Sequence, residues 1–241
     1  MLISDLRNYI LQSSNIIFFG GAGVSTESNI PDFRSENGIY NAIHTYGYSP
    51  ETILSFSFFT SHTEEFFRFY RNNMIFRTAK PNRAHLALAQ LERQGVLSAV
   101  VTQNIDGLHQ AAGSKNVLEL HGSVHRNYCT NCNEKYDLEY ILNSKDMIPR
   151  CNKCNGIVRP AVTLYEESLD MDVVNAAISY IAKADVLIVG GTSLAVYPAA
   201  GLINYYKGSK LILINKSATP YDQRANLVIN ESIGKVLDDA I

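Results

Sequence analysis

All four cysteines of this 241-residue chain lie between residues 129 and 154, in two Cys-x-x-Cys pairs. Paired cysteines at this separation supply four thiolates for one tetrahedral zinc ion. The alternative is that the cysteines form two redox disulfides or remain unligated thiols. A secreted disulfide protein would spread its cysteines through a small chain, whereas this large chain concentrates them in one segment. We therefore predict a zinc site whose ligands are Cys129, Cys132, Cys151 and Cys154. Four protein ligands leave no coordination position for water, so this zinc ion is expected to be structural.

The composition of the chain excludes several classes of protein. Hydrophobic residues make up 46% and charged residues 18%, which is typical of a globular protein with a sizeable core. The net charge of −2 gives no general attraction to nucleic acids or anionic membranes. The sequence has no stretch of about 18 apolar residues and no secretion signal. We predict a cytoplasmic protein without a direct nucleic-acid or membrane partner; the oligomeric state stays open, and a monomer is compatible with the sequence.

Six short apolar runs alternate with segments of helical periodicity. Nearly continuous apolar runs are typical of strands buried on both faces of a parallel sheet. Strands that alternate with helices indicate an α/β protein with a Rossmann-like doubly wound sheet. The predicted strands are residues 15–20, 97–102, 116–120, 185–190, 210–215 and 226–230, and the predicted helices are 2–11, 84–91, 173–181 and 198–206.

Two segments interrupt this alternation and predict a smaller lobe. Residues 35–80 contain seven of the ten phenylalanines, which indicates short helices around an aromatic cluster. Residues 125–160 form the polar zinc ribbon, which is expected to have little core without its metal. The larger lobe would then comprise residues 1–34, 81–124 and 161–241, with a cleft between the two lobes.

Glycines follow the first predicted strand, in Gly20-Gly21-Ala22-Gly23-Val24-Ser25. Such a turn lets backbone N–H groups approach a phosphate, although a purely structural turn has the same pattern. Thr26 stands where the dehydrogenase fingerprint has its third glycine, so that class is disfavoured. Asp32, Phe33 and Arg34 follow with a carboxylate, an aromatic face and a guanidinium group.

Polar residues follow the other predicted strands as well. Ligands of doubly wound sheets bind at the carboxyl ends of strands, so these side chains are expected to meet in one crevice. His121 follows a strand and precedes a glycine, where a general base would be useful. The other five histidines are interpreted as packing or surface residues. The remaining polar candidates are Gln103, Asn104, Asp106, Thr192, Ser193 and Asn215.

The segments GAGVSTESNIPDFR, TQNIDGLH, LELHGS, the double Cys-x-x-Cys and GTSLAVYPAA occur in this order. Together they resemble the sirtuin family of NAD-dependent protein-lysine deacetylases and deacylases, from about residue 12 to the last strand. The resemblance implies NAD as co-substrate, one structural zinc ion and a cleft that holds NAD against an acyl-lysine. It also implies the release of nicotinamide and O-acyl-ADP-ribose.

The resemblance implies a role for each candidate residue. His121 is similar to the catalytic base, and Asn104, the second residue expected to be catalytic, resembles part of the pocket for the nicotinamide carboxamide. Val162, Leu164 and Tyr165 resemble residues beside an acyl-lysine protein substrate bound as an extended strand. The implied NAD contacts are Gly21, Ala22, Gly23, Thr26, Asp32, Phe33, Arg34, Gln103, Ile105, Asp106, His121, Gly191, Thr192, Ser193, Asn215 and Ile233.

The sequence departs from the family pattern at two glycines. Glu166 and Asn29 stand where the family usually has glycine, and asparagine tolerates a positive φ. Glu166 adds a charge at the substrate groove. Family members that prefer acidic acyl chains carry Tyr-x-x-Arg, whereas Tyr70 is followed at that spacing by Asn73. A neutral acyl group such as acetyl is therefore expected.

Two other functions are compatible with parts of the pattern. An ADP-ribosyltransferase would use the same cleft with a protein nucleophile, but His121 beside a full acyl-lysine groove weighs against it. A zinc-dependent hydrolase or an NAD sensor without catalysis is the other alternative. Four cysteines with no histidine or carboxylate among the ligands leave no catalytic zinc, which weighs against the hydrolase.

Overall fold

The computed structural model describes residues 2–32 and 46–241. The strands of this part are β1 (Ile16–Gly20), β2 (Leu97–Thr102), β3 (Val117–Glu119), β4 (Gly122–Cys129), β5 (Lys135–Tyr136), β6 (Val158–Val162), β7 (Val186–Gly190), β8 (Leu211–Ile214) and β9 (Leu227–Ile229). The α-helices are α1 (Leu2–Leu11), α2 (Pro50–Ile53), α3 (Phe56–Ser61), α4 (Thr63–Asn73), α5 (Arg83–Arg93), α6 (Leu108–Ala111), α7 (Leu138–Asn143), α8 (Met171–Lys183) and α9 (Ile233–Ala240).

Six strands form one parallel sheet in the order β3-β2-β1-β7-β8-β9. After β1 the chain adds β2 and β3 on one side of the sheet. It then returns to the centre and adds β7, β8 and β9 on the other side of β1, which is the doubly wound topology. All six predicted strands are members of this sheet. The prediction of a Rossmann-like α/β fold is confirmed.

The side chains of β1 show how the sheet is buried on both faces. Successive side chains of a strand point to opposite faces. Phe18 packs on one face with residues of α1, α5 and α9, while Ile17 and Phe19 pack on the other with residues of α8. Every residue of β1 is buried, so the near-continuous apolar run matches its position at the centre of the sheet.

Side-chain caps explain where two of the helices begin. The Asn82 side chain accepts a hydrogen bond from Ala84 N at 2.9 Å, and Asn82 N donates to His85 Nδ1 at 3.3 Å. Asp170 Oδ1 accepts from Asp172 N at 2.9 Å at the start of α8. These bonds satisfy N–H groups that have no partner within the first turn of a helix.

The predicted helix at residues 198–206 is a 3₁₀ helix, Ala199–Tyr205, in the structure. Gly201 lies in its middle, and a glycine inside an α-helix costs about 1 kcal/mol relative to alanine. The segment still buries Leu202 and Ile203 against the sheet. The apolar pattern therefore predicted the packing but not the type of helix.

The second sheet is antiparallel, in the order β5-β4-β6, and shares a core with α2, α3 and α4. Two features differ from expectation. Five of the seven phenylalanines form the predicted aromatic cluster, whereas Phe56 is 43% exposed and Phe76 is only partly buried. The zinc ribbon is not without a core, because Ile141 and Val158 are fully buried beside the phenylalanines. The division into two lobes, with the boundaries given above, stays a prediction.

No helix in the part of the chain that the structure describes is long and apolar enough to cross a membrane.

Two histidines interpreted as packing or surface residues form a fully buried pair. His85 on α5 and His109 on α6 have ring centroids 4.7 Å apart and are at most 1% exposed. His85 Nε2 and both ring nitrogens of His109 have no hydrogen-bond partner among the described residues. Burial lowers the pKa of His85 to about 4 and that of His109 to about 3, and the neighbouring His85 lowers the latter further. Both rings are therefore neutral in the folded protein at neutral pH.

This pair predicts a loss of stability in mild acid. Below pH ~6.5 the unfolded chain binds protons that the folded chain does not bind, so the free energy of unfolding falls with pH until the folded pKa values are reached. The slope is about 1.4 kcal/mol per pH unit for each histidine. Urea unfolding between pH 7.5 and 4.5 measures it. His109→Leu should reduce the slope, the exposed His62→Gln should leave it unchanged, and equal slopes in all three proteins would contradict the prediction.

Candidate active site

A cavity of about 770 Å³ opens at the carboxyl ends of the parallel strands, where β1 and β7 are neighbours. The strand order reverses between these two strands, and ligands of doubly wound sheets bind at that point. Its wall also contains residues from α4 and from the segment after β6. The cavity therefore has walls from both sheets.

Two glycine turns meet at the base of this cavity. Gly23 N donates to Gly191 O at 2.8 Å, and Gly191 has a φ of +61°. A Cβ on Gly191 would lie 2.4 Å from Val24 N, so no larger residue fits. Gly21 N also donates within the turns, to Gly190 O at 3.3 Å. The glycines therefore allow the two turns to approach each other, and the N–H groups of Gly21 and Gly23 are bonded within the turns.

Amide side chains join the second turn to the ends of β2 and β8. Gln103 Nε2 donates to Thr192 Oγ1 at 3.1 Å, and Thr192 N donates to Asn215 Oδ1 at 2.9 Å. Asn215 Nδ2 is buried at the cavity wall and has no hydrogen-bond partner among the described residues. A buried donor without a partner is costly, so the site fits a ligand that brings an acceptor to this point, as the ribose or base of a dinucleotide would.

A hydrogen-bonded chain fixes the side chains after β2. Asn104 Nδ2 donates to Ser25 Oγ at 3.0 Å, and Ser25 Oγ donates to Asp106 Oδ2 at 2.7 Å. Burial raises the pKa of Asp106, although its bonds from Leu108 N and Ser25 lower it in part. His125 Nε2 lies 3.0 Å from Asp106 O and holds the backbone at this position. Asn104 and Asp106 are therefore held rigidly in the cavity wall.

His121 lies in the same wall, and its tautomer follows from one hydrogen bond. His121 Nδ1 is 2.9 Å from Gln103 O. A carbonyl only accepts, so Nδ1 carries the proton and Nε2 has a free lone pair. Burial lowers the pKa of His121, and the bond to Gln103 raises it in part. The imidazole is therefore neutral at neutral pH, which is the form that a general base requires.

The segment after β6 connects His121 to the helical insert, which is the segment of residues 35–80 predicted to contain short helices. Thr163 N donates to His121 O at 3.0 Å, Tyr165 N donates to Leu54 O at 2.9 Å, and Phe56 N donates to Tyr165 O at 3.0 Å. The three predicted substrate contacts, Val162, Leu164 and Tyr165, all line the cavity. An extended segment therefore lies along the cavity and passes the candidate base.

The four cysteines meet at one point of the antiparallel sheet. Their Sγ atoms all lie within 4.8 Å of one another. The Cys129–Cys154 and Cys132–Cys151 Sγ distances are 3.4 and 3.5 Å, too long for disulfides. Zinc–sulfur bonds of about 2.3 Å in a tetrahedron place the sulfur atoms about 3.8 Å apart. The cluster fits a zinc ion, and none of its cysteines lines the described cavity wall, so the fit is to a structural site.

The structure places nearly all the predicted cofactor contacts in one cavity wall. Phe33 and Arg34 lie outside the described residues. The others line the cavity: Gly21, Ala22, Gly23, Thr26, Asp32, Gln103, Asn104, Ile105, Asp106, His121, Gly191, Thr192, Ser193, Asn215 and Ile233. The sequence analysis missed residues 216–218 and 231–232, which also line it. They follow β8 and β9, so the rule of carboxyl strand ends, applied to every strand, would have found them.

Comparison with known proteins gives matches along the whole chain. Residues 21–198 match the model of the Sir2 family. An NAD-dependent protein deacetylase of Clostridium acetobutylicum is 63% identical over 99% of this chain and 98% of its own length. An NAD-dependent protein deacetylase of Clostridium tetani is 64% identical over 97% of this chain and 94% of its own length.

Solved structures match as closely in shape. A Sir2 variant with a deacetylated p53 peptide and 3′-O-acetyl ADP ribose has a TM-score of 0.91 and 40% identity, over 99% of this chain and 97% of that one. A Sir2 complex with a p53 peptide and NAD⁺ has a TM-score of 0.87 and 40% identity, over 98% and 96% of the two chains.

Proposed function

Since this chain belongs to the Sir2 family and is an NAD-dependent protein deacetylase, we propose that His121 is its general base. The reaction transfers the acetyl group of a protein lysine to the ADP-ribose part of NAD and releases nicotinamide. The observation that supports the role of His121 is its place in one cavity with the glycine turns and the segment after β6. A base must reach both the dinucleotide and the acetyl group, and this position allows it.

The dinucleotide binds across the point where the strand order reverses. Asn215 Nδ2 and the polar residues after β2 and β7 are its hydrogen-bond partners. Bound NAD supplies a ribose carbon that becomes electrophilic as nicotinamide leaves and that the acetyl oxygen captures. Asn104 and Asp106 hold the carboxamide of nicotinamide, and their bonds through Ser25 keep them in position.

His121 accepts a proton at Nε2 from a ribose hydroxyl, because Gln103 O holds Nδ1 as a donor. The released oxygen then attacks the carbon of the captured acetyl group. The Gln103 bond also stabilises the imidazolium that forms, since a protonated ring still donates from Nδ1. Gln103 therefore positions the base as well as contacting the ribose.

The protein substrate binds as an extended strand along residues 162–165. The N–H groups of residues 163–165 are bonded within the protein, so Val162 and Leu164 contribute side-chain contacts to the stem of the acyl-lysine. The cytoplasmic location predicted from the sequence stays a prediction.

A neutral acyl group is expected at the reactive end of the cavity. Lys216, after β8, is the one cation that lines the described part of the cavity wall. Tyr70 lines the cavity, but Asn73 does not, because its Nδ2 donates to Tyr46 OH and Phe69 O. An acyl carboxylate would lose water without gaining a cation, which is unfavourable.

Mass spectrometry of one peptide as its acetyl-lysine and succinyl-lysine forms, with and without NAD, tests the proposal. We expect acetylated ADP-ribose only when NAD is present, and acetyl removal at least ~10-fold faster than succinyl removal. Faster succinyl removal would contradict the neutral pocket. ADP-ribosylated protein without acetyl removal would instead favour the ADP-ribosyltransferase alternative.

A further inference from the structure

Glu166 occupies a strained position at the cavity wall. It directly follows the segment of residues 162–165, lines the cavity and is exposed to solvent. Its φ is +76°, in the left-handed region that residues with a side chain rarely adopt. A strained residue persists only where the surrounding contacts hold it, and such residues concentrate at binding sites.

The Glu166 carboxylate is held in place from the helical insert. Glu166 Oε2 accepts from Ser57 N at 2.9 Å, and Glu166 Oε1 accepts from Ser57 Oγ at 2.9 Å. A carboxylate offers about four acceptor positions, so these two bonds leave acceptor capacity unused. These two bonds therefore fix the position of the Glu166 side chain at the surface. Its carboxylate can still accept hydrogen bonds from further donors.

The charge of Glu166 has no partner of opposite charge in residues 2–32 and 46–241. Glu166 forms no ion pair within the described residues, whereas the adjacent Glu167 is paired with Arg159 at 2.7 Å. Helix α3, which holds the carboxylate, contains no charged residue. Lys216 lies after β8, in the part of the wall formed by the parallel sheet. The substrate end of the cavity therefore carries one fixed negative charge that a ligand can complement.

We propose that Glu166 selects protein substrates with a lysine or arginine within about three residues of the acetylated lysine. An extended strand rises about 3.3 Å per residue, so a substrate along residues 162–165 brings its next few side chains past Glu166. A guanidinium or ammonium group gains a charge-assisted hydrogen bond there, while an acidic side chain is repelled. This inference rests on the proposed binding of the substrate strand.

The test uses acetyl-lysine peptides that differ only in having arginine, glutamine or glutamate at the flanking positions. Their Kd is measured by fluorescence anisotropy without NAD, and kcat/KM is measured with NAD. For an exposed charge pair we expect arginine to be favoured over glutamine by about 3-fold, and over glutamate by up to about 10-fold. Because salt screens exposed charges, the preference should decline towards one near 0.5 M salt.

Glu166→Gln should remove most of the arginine preference, since glutamine keeps the shape, its oxygen still accepts from Ser57 N and its amide nitrogen can donate to Ser57 Oγ. The matched control is Glu65→Gln, which removes an exposed carboxylate of α4 and should keep the preference. Equal affinities for the three peptides, a preference that Glu166→Gln retains, or a preference insensitive to salt would each overturn the inference. The salt series uses the unaltered protein, so the test stands even if the variant folds poorly.

The two readouts separate this inference from the proposed function. Tighter binding of the arginine peptide without NAD-dependent deacetylation would support the role of Glu166 and contradict the enzymatic proposal. Deacetylation of all peptides at the same kcat/KM, with equal Kd values, would support the enzymatic proposal and contradict the role of Glu166.

Discussion

Replacing His121 with alanine is expected to lower kcat/KM for NAD-dependent deacetylation at least ~100-fold. The variant loses the base proposed for the ribose proton, while the glycine turns and amide side chains of the proposed NAD site are unchanged. NAD binding, measured by calorimetry, should therefore stay within a few-fold of the original. His62→Ala, at an exposed position on the helical insert, is the matched control and should keep full activity. Deacetylation at the original rate by the His121 variant would remove the assignment.

The pH profile of the unaltered enzyme tests the same role independently. The base works when its imidazole is neutral, and burial holds the pKa of His121 below the ordinary value for histidine. The rate should therefore rise with pH on the acid side, with its midpoint below pH ~6.5, and then become flat. A rate that keeps rising well above this pH would indicate that a different group is the base.

The parallel sheet could be predicted because its strands are buried on both faces. After Asp185, the strand predicted at residues 185–190 has no polar position to alternate with its apolar ones, and in the structure all of β7 is buried. Strand ends were equally informative, since a parallel sheet brings its carboxyl ends to one edge. The positions of His121, Gln103 and Asn215 after predicted strands indicated that they share one crevice, and all three line the cavity.

The local sequence did not predict the contacts that depend on distant segments. His85 and His109 are separated by β2 along the chain, and each ring is buried against the other. Nothing near either residue distinguishes such a pair from two surface histidines. The positive φ of Glu166 also depends on a distant segment, because Ser57 holds the Glu166 carboxylate. The spacing of the two Cys-x-x-Cys pairs, by contrast, predicted the cysteine cluster directly.

Removal of the zinc ion is expected to abolish activity although its ligands do not line the described cavity wall. Cys129 and Cys151 are buried in the core that α3 and α4 share with β4 and β6. Structural zinc binding contributes about 10–16 kcal/mol in small zinc-finger peptides, so its loss should disorganise this sheet. β4 begins directly after His121, and β6 leads into the Thr163 N–H that bonds to His121 O. Disorder of β4 and β6 would therefore displace both His121 and residues 162–165, along which the substrate is proposed to bind.

Cys154→Ser and treatment with a strong chelator should each lower deacetylation at least ~100-fold and lower the first thermal transition by more than ~10 °C. The parallel sheet has two hydrophobic faces of its own, so weak NAD binding should persist after the zinc is lost. Lys153→Ala is the matched control, because Lys153 lies between two ligands and, among the described residues, its side chain pairs only with the Glu134 carboxylate at the surface. It should keep bound zinc, measured by metal analysis, and activity. Full turnover by a metal-free protein would contradict this prediction. It would show that the apolar core of the antiparallel sheet alone, without zinc on the cysteines, holds His121 and residues 162–165 in place.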